Sequence, residues 1–308
     1  MRWQSTVEVA EIVFGLFGDC ATEALSLDQI YSDFLCSGEP DVVLKACYNG
    51  LPPIPLRDED RIFDSQMVWS LYRVDGRTVF ALRSPVFGPQ PYRIAVFDED
   101  FRHGEVYNAL PETPESRLCN PLEYPLSEVL MVCLLARGRG LHVHACGIED
   151  NGRGYLFAGN STHGKTTMAR LWQGEGRILN DDRIVLRARD GRIWMYGTPW
   201  HGECDSVSPD GVPLEHIFFL RHAEADGLSR VTGTRAAAML LERRGLRTPG
   251  GRAPLAVLAG AAVNNNAFHM TAPAKEGDGS RRVMAAALRD AGLGPERIEH
   301  ISAHATAT

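Results

Sequence analysis

The residues best suited by type and spacing to do chemistry are Gly159, Asn160, Ser161, Thr162, His163, Gly164, Lys165 and Thr166. They fit G-x-x-x-x-G-K-[ST] at every fixed position. The apolar run Tyr155 to Ala158 precedes them, and Thr166 to Gln173 reads as a helix. Strand, loop and helix start thus follow in the order a phosphate-binding loop needs. Backbone N–H groups of such a loop converge on one concavity, and the helix N-terminus adds partial positive charge. Lys165 would reach the β and γ phosphates of ATP, the Thr166 hydroxyl would ligate Mg2+, and Thr167 would complete the binding set. An ordinary glycine-containing turn is the alternative.

An acidic pair, Asp181 and Asp182, lies a short way downstream, between Arg177-Ile178-Leu179 and Ile184-Val185-Leu186. A helix of about ten residues carries the chain ~15 Å away, and a strand of about four residues returns it by ~13 Å. The pair is therefore expected back at the loop. Adjacent carboxylates at a strand end point in different directions. Asp182 is assigned to the metal and Asp181 to proton acceptance, with the reverse open; the alternative is a solvated Asp-Asp turn. Upstream, a strand from Leu141 places His142, His144 and Cys146 on one face. Three such side chains could hold zinc, but no carboxylate or second Cys/His cluster lies nearby in sequence. A hydrogen-bonded core histidine is the competing reading.

Taken together, His142 to Gly147, the glycine-rich loop, the acid pair and Gly197-Thr198-Pro199-Trp200-His201-Gly202-Glu203 resemble the HPr kinase/phosphorylase family over roughly residues 60 to 243. That family shares its nucleotide site with ATP-dependent phosphoenolpyruvate carboxykinases. The resemblance is strongest to HPr-kinase-like proteins encoded beside peptide-modification cassettes. It implies transfer of the ATP γ-phosphate to a hydroxyl of a protein, peptide or small-molecule acceptor. It also places His144 beside the phosphates, with Lys165, Asp181 and Asp182 as the other catalytic residues. His201 and Glu203, in a loop by composition, would contact acceptor or phosphate, with a plain loop as the alternative. Two departures stand out. Thr162 occupies a position that is usually glycine, and the glycine-rich stretch after the acid pair is missing. A non-catalytic nucleotide-binding scaffold is the second reading.

The C-terminal stretch is different. Ala267-Phe268-His269-Met270-Thr271-Ala272-Pro273, a helix expected over Ser280 to Ala291 with Gly292 as its cap, and Ile298 to Thr308 resemble β-ketoacyl-ACP synthases over about the last 55 residues. His304 matches that family's first active-site histidine, with Ala305 in place of glycine. A condensing enzyme also needs a thiolate and a second histidine. No cysteine follows Cys204 and the sequence stops four residues after His304, so the tail is expected to be catalytically empty, a fusion remnant or a gene-boundary artefact.

The 308 residues suffice for two or three domains with sizeable cores. A net charge of −7 with both signs dispersed offers no basic face, which argues against nucleic acid as a partner. Seven scattered cysteines fit a reducing compartment better than a disulfide framework, and no apolar run has membrane-spanning length, so a cytoplasmic location is expected. Val7 to Phe17 reads as a strand and Ala21 to Phe34 as a helix, before the Pro-rich Leu51 to Pro55. The runs Val68–Val74, Thr78–Leu82 and Tyr92–Phe97 read as strands, the first two joined by an Asp75-Gly76 hairpin turn. Pro125 suits a helix first turn, Leu214 to Leu220 a strand and Thr234 to Arg243 a helix; a Gly/Pro/Arg-rich linker follows. The expected fold class is α/β. It comprises a β-rich region (1–115), a P-loop core of HPr kinase/phosphoenolpyruvate carboxykinase type (116–244), and a short thiolase-like fragment (250–308).

Overall fold

The computed structural model describes residues 5–18, 27–47, 50–65, 68–109, 120–159, 163–223 and 227–231, with 236 and 239. Asn160, Ser161, Thr162 and the whole ketosynthase-like stretch lie outside the described residues. What is described is a strand-rich mixed α/β structure.

The N-terminal part is an eight-stranded sheet. Its strands are β1 (Ser5–Val9), β2 (Ile12–Gly18), β3 (Val42–Cys47), β4 (Arg61–Asp64), β5 (Trp69–Val74), β6 (Arg77–Ser84), β7 (Gly88–Phe97) and β8 (His103–Asn108), in the order β1-β2-β3-β8-β7-β6-β5-β4. Alternation decides its two faces. Val7, Phe14, Leu44, Val106, Phe97 and Phe80 point to one side and are at most 2% exposed. Val79, Ala81, Ile94 and Val96 point to the other, where Leu51, Ile54 and Leu56 of the Pro-rich segment pack over them. The Asp75-Gly76 hairpin forms as expected, both residues having positive φ (48° and 76°). The single strand expected over Val7 to Phe17 is instead a hairpin, turning at Ala10 and Glu11 with φ of 51° and 58°. Of the expected Ala21–Phe34 helix, the described part is a 3-10 turn at Gln29–Phe34.

Six further strands follow: β9 (Leu141–Asp150), β10 (Arg153–Ala158), β11 (Arg177–Asn180), β12 (Arg183–Arg189), β13 (Arg192–Tyr196) and β14 (Gly211–Phe219). β9 pairs with β10 on one side and with β11 and then β12 on the other. β12 pairs with β13, β13 with β14, and β14 runs parallel to β10. The pairings close on themselves, so these strands form a small barrel around Val143, Ala145, Leu156, Leu179, Ile184, Leu186 and Met195.

Two helices cover its outside. α1 (Leu126–Leu134) starts one residue after Pro125, which stands at the N-cap and is joined to Tyr124 by a cis peptide bond. Its Leu126, Leu130, Met131 and Leu134 share one core with the inner face of the eight-stranded sheet and with Val185, Tyr196 and Trp200 of the barrel side. α2 (Lys165–Leu171) covers Cys146, Ile148, Phe157 and Ile178 on another flank. It ends two residues before the expected Gln173. Of the helix expected over Thr234 to Arg243, Ala236 and Met239 are described and both are helical.

Candidate functional site

Most of the described chemistry-bearing residues gather where β9, the β11–β12 junction and the start of α2 meet. Gly164 enters α2 with a positive φ of 93°, a conformation that suits glycine. Lys165 is 6% exposed, and its Nζ donates to the Gly159 carbonyl at 3.1 Å. The Thr166 hydroxyl lies 3.4 Å from Asp181 Oδ2. His163 Nδ1 is 3.1 Å from the Leu220 carbonyl, and Thr167 is exposed.

The two aspartates have distinct surroundings. Asp181 is 1% exposed, and its carboxylate accepts the backbone N–H of Gly202 (2.7 Å), Glu203 (3.1 Å) and Cys204 (3.1 Å). It ties the loop containing His201 and Glu203 to the barrel. Glu203 also pairs with Arg170 of α2 at 3.2 Å. Asp182 is engaged through both oxygens: Oδ1 lies 2.9 Å from His144 Nδ1, and Oδ2 accepts from Arg183. Burial pushes its pKa up, but the His144 hydrogen bond and the Arg183 charge outweigh this and hold it below the ordinary carboxylate value.

Arg183 also donates through Nε to Glu128 of α1 at 2.7 Å, and its Nη1 lies 2.7 Å from His144 Nδ1. One ring nitrogen cannot donate to Asp182 and accept from Arg183 at once. His144 is thus held between two partners that demand opposite tautomers. His142, one register step along β9, is 11% exposed at the side chain and lies 3.6 Å from Glu128 Oε1. Burial drives its pKa down from 6.5 to about 4.

The strand parity expected for His142, His144 and Cys146 is observed, but the side chains face different neighbours. His142 and His144 face α1 and Arg183, whereas Cys146 is packed with α2. Among the described residues no group of three His, Cys, Asp or Glu side chains is placed to hold a metal ion. With both Asp182 oxygens engaged and Asp181 closed over by amides, the donor set expected for Mg2+ does not fit one.

Sequence reasoning missed three residues here. Asn180, fully buried, donates from Nδ2 to the Thr198 and Trp200 carbonyls, and its Oδ1 accepts the N–H groups of Asp182 and Arg183 at 2.7 Å each. It shapes the turn that splays the two carboxylates. Glu128 and Arg183 are the others, and a lone carboxylate in the apolar run of α1 is the signal that pointed to a buried partner. An open cleft of about 570 Å³ lies elsewhere, on the outer face of the eight-stranded sheet over Val43, Lys45, Val96 and His103; no residue of the expected site lines it.

The comparison with known proteins falls on the C-terminal stretch. Residues 255–308 match the family described as "Beta-ketoacyl synthase, C-terminal domain". This stretch resembles a condensing enzyme. The 3-oxoacyl-[acyl-carrier-protein] synthase 2 of Staphylococcus aureus is 36% identical over 78 residues, and that of Vibrio cholerae 37% over 78; each alignment covers 25% of this chain and 19% of the relative. The chain therefore spans about a fifth of the length of these relatives. The ketosynthase-like part of the expectation stands, and the kinase part is corrected. The matched family is one of thiolase-like condensing enzymes, which do not use ATP and Mg2+, so the ATP-dependent phosphotransferase and its cofactors are withdrawn. Among the described residues no helix is long and apolar enough to cross a membrane.

Proposed function

We propose that this protein is β-ketoacyl-ACP synthase-related and engages acyl-carrier-linked thioesters through residues 255–308, without forming an acyl-enzyme of its own. The observation that carries the reading is the match of those 54 residues, His304 included, to the condensing-enzyme family. Such a histidine would hydrogen-bond a thioester carbonyl and stabilise the charge that develops there.

Two of the described thiols point the same way. A condensing nucleophile must ionise near neutral pH. No cysteine lies in 255–308. In the described part, burial pushes Cys133 up to about 11 and Cys146, further raised by Asp181, up to about 12. Neither offers a thiolate at neutral pH.

The test uses the full chain and a radiolabelled acyl-ACP. Calorimetric binding that weakens at least ~10-fold in His304→Ala, with no hydroxylamine-released label on the protein, is the expected result. A stoichiometric thioester on any cysteine, or equal heats for acyl-ACP and buffer, overturns the proposal.

A further inference from the structure

Two imidazoles meet where the chain entering α2 passes the chain leaving β14. His163, half-buried, stands just before α2, and His222, exposed, follows the end of β14 by three residues. Their ring centroids are 5.3 Å apart, with 77° between the planes. The backbone holds the two segments side by side: the Leu220 amide donates to the Ala158 carbonyl at 2.8 Å. A methyl group on Gly159 would stand 3.3 Å from Leu220 Cβ. One ring is also fixed chemically. His163 Nδ1 lies 3.1 Å from the Leu220 carbonyl. A carbonyl oxygen only accepts, so Nδ1 carries the proton and Nε2 of the neutral ring presents a lone pair. Histidines that ligate metals are oriented in this way, by a hydrogen bond from the ring nitrogen that does not bind.

The spacing fits the same chemistry. With a metal–nitrogen bond of about 2.05 Å and about 1.15 Å from nitrogen to ring centre, two imidazoles at the tetrahedral angle around one ion have centres about 5.2 Å apart. The observed separation is 5.3 Å. Rotation of His222 about its Cβ–Cγ bond selects the nitrogen it presents and leaves its ring centre nearly in place, and that torsion is soft for an imidazole. We propose that His163 and His222 bind a divalent transition-metal ion of the zinc type, through one ring nitrogen each. Imidazole suits Zn2+, Ni2+ and Cu2+, whereas Mg2+ selects oxygen. Among the described residues no third His, Cys, Asp or Glu joins the pair, so water fills the remaining positions. The ion would tie the loop entering α2 to the chain leaving β14.

The site shares no residue with 255–308 and stands whether or not an acyl carrier binds. Calorimetry of the untagged full chain with zinc chloride, together with ring-nitrogen spectra of isotope-labelled histidine, tests it. Zn2+ is expected to shift the resonances of His163 and His222, each assigned by its absence in the matching variant, while Mg2+ shifts neither. His222→Ala, at an exposed position, should abolish the Zn2+-dependent shift of His163 and weaken binding at this site at least ~10-fold. His163→Ala should do the same to His222. The double variant should be no weaker than either single one, because removing one ligand already leaves a lone imidazole. A His163 shift that persists in His222→Ala overturns the proposal. So does excess Zn2+ that leaves both rings unmoved, since any bound ion then sits elsewhere on the chain. Should His163→Ala fail to fold, His222→Ala alone decides.

Discussion

Asp181 and His142 show how much a single polar side chain can determine here. Asp181 was expected as a proton acceptor; in the structure its carboxylate caps three consecutive amides and is shut off from solvent. Asp181→Ala leaves those N–H groups without their acceptor, and unsatisfied buried donors cost ~1 to 3 kcal/mol each. We expect a loss of ~3 kcal/mol in urea unfolding, part of it recovered in Asp181→Asn, which keeps one acceptor oxygen. A loss below about 1 kcal/mol in the alanine variant would show that water replaces the carboxylate. His142 makes a pH prediction. Burial lowers its folded pKa to about 4, with Arg183 and His144 adding to this and Glu128 and Asp182 opposing it. The unfolded chain therefore takes up the proton first. Stability is fully present above pH 6.5 and falls as the pH drops from 6.5 towards 4, by ~3 kcal/mol from this residue. Unfolding free energies across that window should show the decline in the parent chain and a shallower one in His142→Asn.

At the scale of elements, the close approach of two segments at Gly197 is the most demanding contact. A methyl group there would run into the carbonyl oxygens of Ser208 and Leu179, both backbone atoms that cannot swing aside. Gly197→Ala should cost at least ~3 kcal/mol, the upper range for forced overpacking, and chemical denaturation will read it. Elements of this local kind were readable in advance where a residue type enforces them. The Asp75-Gly76 turn has the backbone that aspartate and glycine tolerate, and Leu141 to Gly147 has the two-residue period of a strand. The turn at Ala10 and Glu11 gave no such sign, because neither residue favours positive φ. Closure of the barrel was equally hidden, since β10 and β14 pair across some sixty residues and no local pattern encodes a distant parallel partner. The candidate site followed the same division. The acid pair was visible in the sequence, whereas what Asp181 binds depends on residues 202–204, and what Arg183 binds depends on Glu128, both brought in by the fold.

For the whole molecule, the shared core matters more than the division into a sheet and a barrel. α1 packs between inner-face residues of the sheet and Val185, Tyr196 and Trp200. Arg187 of the barrel donates to the Ala10 carbonyl at 2.6 Å and to that of Glu11 at 3.1 Å, and Arg189 pairs with Glu11 at 2.7 Å. We therefore expect residues 5–223 to unfold in one transition, with tryptophan fluorescence and far-ultraviolet dichroism superimposing. Arg187→Met should lower the midpoint by the equivalent of ~2 kcal/mol without splitting the curve. Two separated transitions would mean that the arginine contacts, rather than the apolar core, couple the halves.

Ring closure by β10 and β14 also bears on how copies of this protein behave in concentrated solution. An open sheet of the same strands would present two unpaired borders, each a template for the backbone of another molecule. Closing the ring removes those borders, and the remaining free side of β11 is partly occupied by the Ser208 amide, 3.0 Å from the Leu179 carbonyl. The eight-stranded sheet keeps two. At β1 the border is crossed by the segment around Leu35 and Cys36, which pairs with Val7 and bonds Thr6. At β4 the strand has four residues, a register break between Arg61 and Phe63, and salt-bridged Arg61 and Asp64 at its ends. A short, broken and charged border is a poor surface for adding a strand. Among the described residues, then, a protein built from fourteen strands gives a neighbouring copy almost no edge on which to start an aggregate.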